Sequence, residues 1–315
     1  MIYPGTRENE LVGRFVLITM RRMVLGVAAP ERREEIKTPD GRVLGRAEWG
    51  PRDGTPVLFF SGAAMGGSLG FGAHLLDEQV VRLIAVDRPG LGASDPRPGR
   101  TLTDWASDVE ALTAALELPP YGIVGFSQGA PFALACAAAG LPAAVAVVSG
   151  QDDLRHPGLA GLLDPDVAGM LEALTADPDG FEESFARTAR PEMLWRLVTE
   201  TSSEVDLAVY RDEAFAEHFR RALDEGFRQG AAAYARDLAL AFAPWPFEVE
   251  SITVPVDLWY GGHDVSPVHS PDLGDLLARR IPGARRHLRP DAGGSLLWTV
   301  ADEILETLLN RLRGG

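Results

Sequence analysis

The chain carries a single cysteine, Cys136, among 315 residues. That excludes an internal disulfide and any metal site built from several thiolates. It is also short of bases: 30 Lys and Arg stand against 45 Asp and Glu, a formal net charge of −15. A surface that acidic repels nucleic-acid phosphates and anionic lipid, so neither is an expected partner. A long apolar run free of charge is missing as well. The N-terminal stretch "LVGRFVLITMRRMVLGVAAP" is interrupted by Arg14, Arg21 and Arg22, so it falls short of the roughly 20 clean residues of a membrane span. Glu8 and Glu10 stand where a secretory leader would carry positive charge. Residues 1–30 therefore read as an amphipathic helical extension, docked on its own core or offering a surface for a homo-oligomer. A cytoplasmic location fits one unpaired thiol. Internal repeats and low-complexity tracts are absent.

What is present is a rhythm. "PVLFFSG" (56–62), "VRLIAVD" (81–87), "AAVAVVSG" (143–150) and "ITVPVDLWYGG" (252–262) are apolar runs without alternation, as strands buried on both faces should be. Helical patterns separate them: residues near 70–79, "TLTDWASDVEALTAALEL" closed by two prolines, and about 271–280. "EEIKTPDGRVLGRAEWG" reads as a hairpin turned at Pro39-Asp40-Gly41, "ARRHLRP" as a last strand, and "LLWTVADEILETLLNRL" as a final helix. Between about Gln151 and Glu250 the rhythm stops and the sequence is helical. The expected fold is α/β: a mostly parallel central sheet with helices on both faces, residues 31–150 and 251–315, interrupted by a helical lid at 151–250.

Gly125-Phe126-Ser127-Gln128-Gly129 matches G-x-S-x-G, entered by a buried strand and left by an alanine-rich helix. That context lifts a serine hydroxyl above the sheet edge, and it makes Ser127 the candidate nucleophile. The backbone N–H of Gln128 would be one oxyanion donor, and Ala63 in "SGAAMGG" would supply the second. That glycine loop has no following lysine to cradle a phosphate, and "DRPGLGASD" lacks the third glycine of a dinucleotide site. No cofactor and no metal are expected.

These stretches resemble the α/β-hydrolase superfamily, in its lid-bearing esterase, peptidase and epoxide-hydrolase-like branch. The resemblance runs from about residue 33 to 313, on "SGAAMGG", "VDRPGLGASD", "GFSQG", "WYGGHDVSPVHSPDLGDLLARRIPG" and "PDAGGSLLW" in the family's order. It implies a triad of serine, acid and histidine, with Ser127 as nucleophile and Asp264, in the G-x-x-D turn, as acid. Asp152 and Asp153 hold a second acid position known in this fold. Two departures matter. Ser61 replaces the histidine of the family's His-Gly loop, and Gly293-Gly294 stands where the family has Gly-His. Serine without a base is a poor nucleophile near neutral pH.

Six histidines are available to fill the gap: His74, His156, His218, His263, His269 and His287. His156, just past a strand at the serine's edge of the sheet, and His269, close after Asp264, are the first candidates for a relocated base. Three functions stay open. One is an enzyme acting on a small, largely apolar ester, thioester or amide through Ser127. A second is a lyase, isomerase or cyclase that uses the pocket without an acyl-enzyme. The third is a small-molecule-binding relative without catalysis. Aromatic residues between Phe181 and Tyr234 favour an apolar organic ligand in each case.

Overall fold

Strands whose residues are apolar at every position need cover on both faces, and the computed structural model, which describes residues 25–314, provides it. Eight strands form one sheet: β1 (Arg32–Lys37), β2 (Val43–Trp49), β3 (Thr55–Phe60), β4 (Val81–Val86), β5 (Gly122–Phe126), β6 (Ala144–Val148), β7 (Val256–Gly261) and β8 (Arg285–Arg289). Their spatial order is β1-β2-β4-β3-β5-β6-β7-β8. β1 and β2 form the expected hairpin, β2 joins β4 antiparallel, and all remaining pairs are parallel. Side chains alternate between two cores. Val57, Phe59, Val124, Val148 and Trp259 enter one, whereas Leu58, Phe60, Ile123, Val147 and Tyr260 enter the other.

The covering helices are α1 (Leu102–Ala115) and α2 (Gly129–Ala138), then a helical insertion between β6 and β7. The insertion comprises α3 (Pro165–Ala176), α4 (Pro178–Thr188), α5 (Pro191–Thr201), α6 (Glu204–Tyr210), α7 (Glu213–Gly226) and α8 (Ala232–Phe242). After it come α9 (Asp275–Arg280), α10 (Leu296–Thr299) and α11 (Ala301–Gly314). The insertion breaks into short helices because the sequence keeps restarting them. α3, α4 and α5 each open on proline, and Asp164, Asp177, Ser203 and Asp212 cap the starts of α3, α4, α6 and α7.

Two expectations need adjustment. Residues 70–79 form consecutive turns instead of a helix. Left-handed backbone at Gly72 (φ 63°) and Val80 (φ 52°) brackets a stretch too short to propagate one. The amphipathic extension expected at 1–30 lies almost wholly outside the described residues. Within them, Ala28 offers its carbonyl to the Trp49 indole at 3.0 Å.

The chain leaves β3 toward β4 on one side and returns to place β5 on the other. The sheet therefore reverses its winding between β3 and β5, and a crevice opens beyond their C-terminal ends. The loops that follow these two strands carry Ala63 and Ser127.

A buried ion pair ties the insertion to this crevice. Arg88, after β4, bonds Asp237 of α8 at 2.6 Å and donates to the carbonyls of Ser61 at 2.7 Å and Gly62 at 2.9 Å. Neither side chain of the pair is exposed, and Arg100 also bonds Asp237. Removing one partner strands a charge in a medium that solvates it poorly. Asp237→Ala should therefore lower stability by about 3–5 kcal/mol in denaturant titration. A loss below about 1 kcal/mol would show that water reaches the two guanidiniums.

Candidate active site

Ser127 sits at φ 51°, a left-handed conformation that few non-glycine residues adopt. Its surroundings hold it there: its N–H donates to Val148 O at 3.1 Å, and its carbonyl accepts from Gln151 N–H at 3.0 Å. The two glycines of the motif answer to crowding. A Cβ on Gly129 would lie 2.1 Å from the Phe60 carbonyl oxygen, and one on Gly125 would lie 2.7 Å from Ala133 Cβ. Only a bare backbone lets the turn close this tightly against β3 and α2.

His269 reaches the serine. Its Nε2 lies 2.9 Å from Ser127 Oγ, and its Nδ1 lies 2.8 and 3.0 Å from the two Asp264 oxygens. The network fixes the tautomer: Nδ1–H donates to the carboxylate, and Nε2 accepts from the serine hydroxyl. The Asp264 and His269 side chains are only 2% and 10% exposed, so water competes little for either contact.

Asp264 and His269 share one short loop after β7. The Asp264 carboxylate also accepts the Ser266 N–H at 3.1 Å, and His269 N–H closes onto Ser266 O at 3.3 Å. A five-residue separation thus folds back on itself around the carboxylate.

The vacant histidine position has its own occupants. A Cβ on Gly294 would lie 2.8 Å from Asp264 Oδ1, and one on Gly293 would lie 2.3 Å from Asp206 Oδ2. Asp206, from α6, accepts the N–H groups of Gly294 at 3.0 Å and Ser295 at 2.7 Å, and the Ser295 hydroxyl at 2.6 Å. Ser203 adds a fourth bond at 2.8 Å. A side chain at either glycine would therefore have to displace a carboxylate that presses on it.

Ala63 and Gln128 both line the cavity over Ser127, and among the described residues neither backbone N–H has an acceptor. Ser61, in the loop's departed histidine position, turns its hydroxyl to Met65 O at 3.2 Å. His156 is not brought to the serine. Its Nδ1 accepts Gly158 N–H at 3.0 Å and caps the short 3-10 turn Pro157–Leu162. His218 bonds its own helix at Ala214 O, and His287 bonds Asp257 at 2.7 Å inside β8. Asp152 and Asp153 follow β6 but hydrogen-bond no imidazole: Asp152 Oδ2 lies 2.8 Å from Ser270 Oγ, and Asp153 pairs with Arg280 at 3.0 Å.

The cavity, about 140 Å³, is lined by Met65, Leu194, Val198, Phe219, Leu223 and Leu238 around the serine. Among the described residues its charged lining residues are Asp206 and Asp264, with no Lys or Arg. Burial pushes the hydroxyls of Tyr210 and Tyr234, which also line it, well up from the ordinary phenol range, so both stay neutral. The orphaned polar atoms nearest the nucleophile are Gln128 Oε1 and Gln151 Nε2, buried without partners. Among the described residues no group of three or more His, Cys, Asp or Glu could hold a metal, and no helix is long and apolar enough to cross a membrane.

Asp206, Arg88 and Asp237 do not emerge from sequence reasoning. Asp206 is signalled only by the capping pattern Ser203-x-x-Asp206, one of several in the insertion. The Gly294 geometry yields a test. Gly294→Ala should lower any Ser127-dependent turnover at least about tenfold while costing only about 1–3 kcal/mol, because the added methyl displaces the carboxylate that orients His269. Unchanged turnover in the folded variant would show that Asp264 can move without consequence.

A family profile described as the alpha/beta hydrolase family matches residues 41–306. The non-heme chloroperoxidase of Streptomyces lividans is 38% identical over 102 residues, 30% of this chain and 35% of that protein. The chain thus spans about a third of the length of the curated relatives it matches. Among solved structures, a bromoperoxidase from Bacillus anthracis superimposes with a TM-score of 0.65 at 22% identity, covering 90% of this chain and 100% of that one. The enol-lactonase from Burkholderia xenovorans gives 0.63 at 21%, covering 89% and 100%. With the strand order, the crevice between β3 and β5 and the profile match over most of its length, the chain belongs to the alpha/beta hydrolase family.

Proposed function

We propose that the protein is a serine-dependent acyl-transfer enzyme that hydrolyses a small, uncharged, largely apolar ester, thioester or amide. The observation that carries this reading is the unbroken hydrogen-bonded chain Asp264–His269–Ser127 facing an enclosed cavity. His269 takes the Ser127 proton at Nε2 as Oγ attacks the substrate carbonyl, and Asp264 stabilises the imidazolium through Nδ1–H. The oxyanion is received by the N–H groups of Ala63 and Gln128, whose lack of other acceptors keeps them free for it. Collapse expels the alcohol, thiol or amine, which leaves with the proton from Nε2. Water then attacks the acyl carbon as His269 takes its proton, and His269 returns that proton to Ser127 Oγ as the acyl–serine bond breaks and the acid leaves.

The insertion serves as the lid. α5, α7 and α8 contribute Leu194, Leu223 and Leu238 to the cavity wall, so specificity rests on their packing. A cavity with two aspartates and, among the described residues, no cation disfavours a substrate carrying a carboxylate or phosphate near the scissile bond. The two non-hydrolytic readings, a lyase-type enzyme and a binding protein, arose from the glycine at the usual histidine position. His269 supplies an imidazole there by another route, which favours acyl transfer over both.

A fluorophosphonate probe should label wild-type protein at Ser127, and short-chain aryl esters should turn over. Ser127→Ala should abolish labelling, and His269→Ala should cut kcat by about 10³-fold or more with the fold intact. Absence of labelling of wild type between pH 6 and 9 would sink the proposal.

A further inference from the structure

The imidazole is held by more than Asp264. The segment Gly150-Gln151-Asp152, which follows β6, touches the nucleophile at one end and the base loop at the other. Gln151 N–H donates to Ser127 O at 3.0 Å. Gly150 O accepts Ser270 N–H at 3.0 Å and the Tyr260 hydroxyl at 3.1 Å. Asp152 Oδ2 lies 2.8 Å from Ser270 Oγ, and its Oδ1 accepts Asp153 N–H at 2.7 Å. Ser270 is the residue next to His269, and Gln151, Asp152, Tyr260 and Ser270 are all buried. We propose that Asp152 is a positioning residue which, through Ser270, fixes where the His269 imidazole stands relative to Ser127. The inference rests on the reading of Ser127 and His269 given above.

The hydrogens around Ser270 have to balance. Its Oγ accepts Gly274 N–H at 2.9 Å and lies 2.8 Å from Asp152 Oδ2 and 2.9 Å from Asp272 Oδ1. One hydroxyl proton cannot serve two carboxylates. A proton on Asp152 resolves the conflict: Asp152 donates to Ser270, and Ser270 donates to Asp272. Asp272 stays ionised and accepts the N–H groups of Asp275 at 3.0 Å and Leu276 at 2.8 Å.

The surroundings agree with that count. Burial, aided by the negative charges of Asp272 and Asp153, pushes the Asp152 carboxyl up to about 6, against the bonds from Ser270 and Asp153 N–H. The other titratable groups facing this segment are Tyr260, with Asp264 and His269 beyond Ser270, and Arg280, which is engaged by Asp153 and Glu250. An acid whose folded pKa is raised contributes stability that is complete below about pH 4 and is lost as pH rises through about 6.

The test compares Asp152→Ala, Asp152→Asn and Ser270→Ala with wild type, by fluorophosphonate labelling rate and ester turnover, with melting curves at pH 5 and pH 8. Asp152→Ala should lower kcat and the labelling rate about 10- to 100-fold with KM little changed, since a displaced base misses the serine while the cavity survives. Asp152→Asn should recover most of that loss, because its amide supplies the donor that Ser270 needs. Its Tm relative to wild type should rise more at pH 8 than at pH 5. If Asp152→Ala does not fold, Ser270→Ala removes the same link and should slow labelling similarly. Labelling within twofold of wild type in a folded Asp152→Ala or Ser270→Ala overturns the proposal, as does an Asn variant as slow as Ala. A Tm difference equal at the two pH values overturns the proton assignment. Wild type that fails to label at all refutes instead the reading of Ser127.

Discussion

The contact between Asp264 and His269, two residues five apart in one loop, constrains everything around it. A carboxylate that accepts from the imidazole at 2.8 Å and from Ser266 N–H at 3.1 Å leaves the loop little freedom. The same carboxylate presses on Gly294 closely enough that a side chain there would have to displace it. The glycine at the family's histidine position and the histidine at 269 are thus two views of one packing solution. With no imidazole arriving from the loop before α10, that loop is free to bond the insertion, and Asp206 gathers its amides.

Coupling between insertion and core runs through buried charge on both flanks of the cavity. On one flank Asp206 of α6 holds Gly294 and Ser295, and on the other Asp237 of α8 holds Arg88, which grips the carbonyls just ahead of Ala63. Helices attached only by apolar contacts could slide over the crevice. Buried polar anchors instead fix register, since a shifted carboxylate would lose bonds that nothing else replaces. Asp206 also gives the cavity, with Asp264, an acidic wall.

Much of this was legible in the sequence, for local reasons. Strands buried on both faces cannot tolerate polar alternation, so β3 to β7 announce themselves as apolar runs. Ser127 is legible because the crowding against Phe60 and Ala133 admits only glycine on either side of it. Asp264 is implied by the resemblance, through the G-x-x-D turn that ends β7. His269 was one of two first candidates, and its partner on that short list, His156, turned out to cap a 3-10 turn. Nothing in composition distinguishes them, because the choice depends on how a loop closes against a strand more than a hundred residues away in the chain. Asp206 with Ser295, Arg88 with Asp237 and Asp152 with Ser270 were not legible at all. Each pair joins distant segments, and each member taken alone reads as an ordinary polar residue. The turns at 70–79 were misread because helical periodicity says nothing of the left-handed residues that bracket them.

Placing Asp264 and His269 in one loop changes what positional error means. When the two arrive on separate loops, a shift of either breaks the contact between them. Here a shift of the loop carries Asp264 and His269 together, so their mutual bond survives while the distance to Ser127 changes. The sensitive coordinate is then the loop's attachment to the body of the sheet. Its N-terminal end is fixed by Gly261 and Gly262, whose backbone lies against Pro290, Ala292 and Gly293. Its C-terminal end is fixed by Ser270, which bonds the segment that also bonds Ser127. Ser127 and the loop of His269 are therefore referenced to the same segment, Gly150 to Asp152, so a shift of that segment bears on the distance between serine and imidazole as directly as the imidazole–carboxylate bond does.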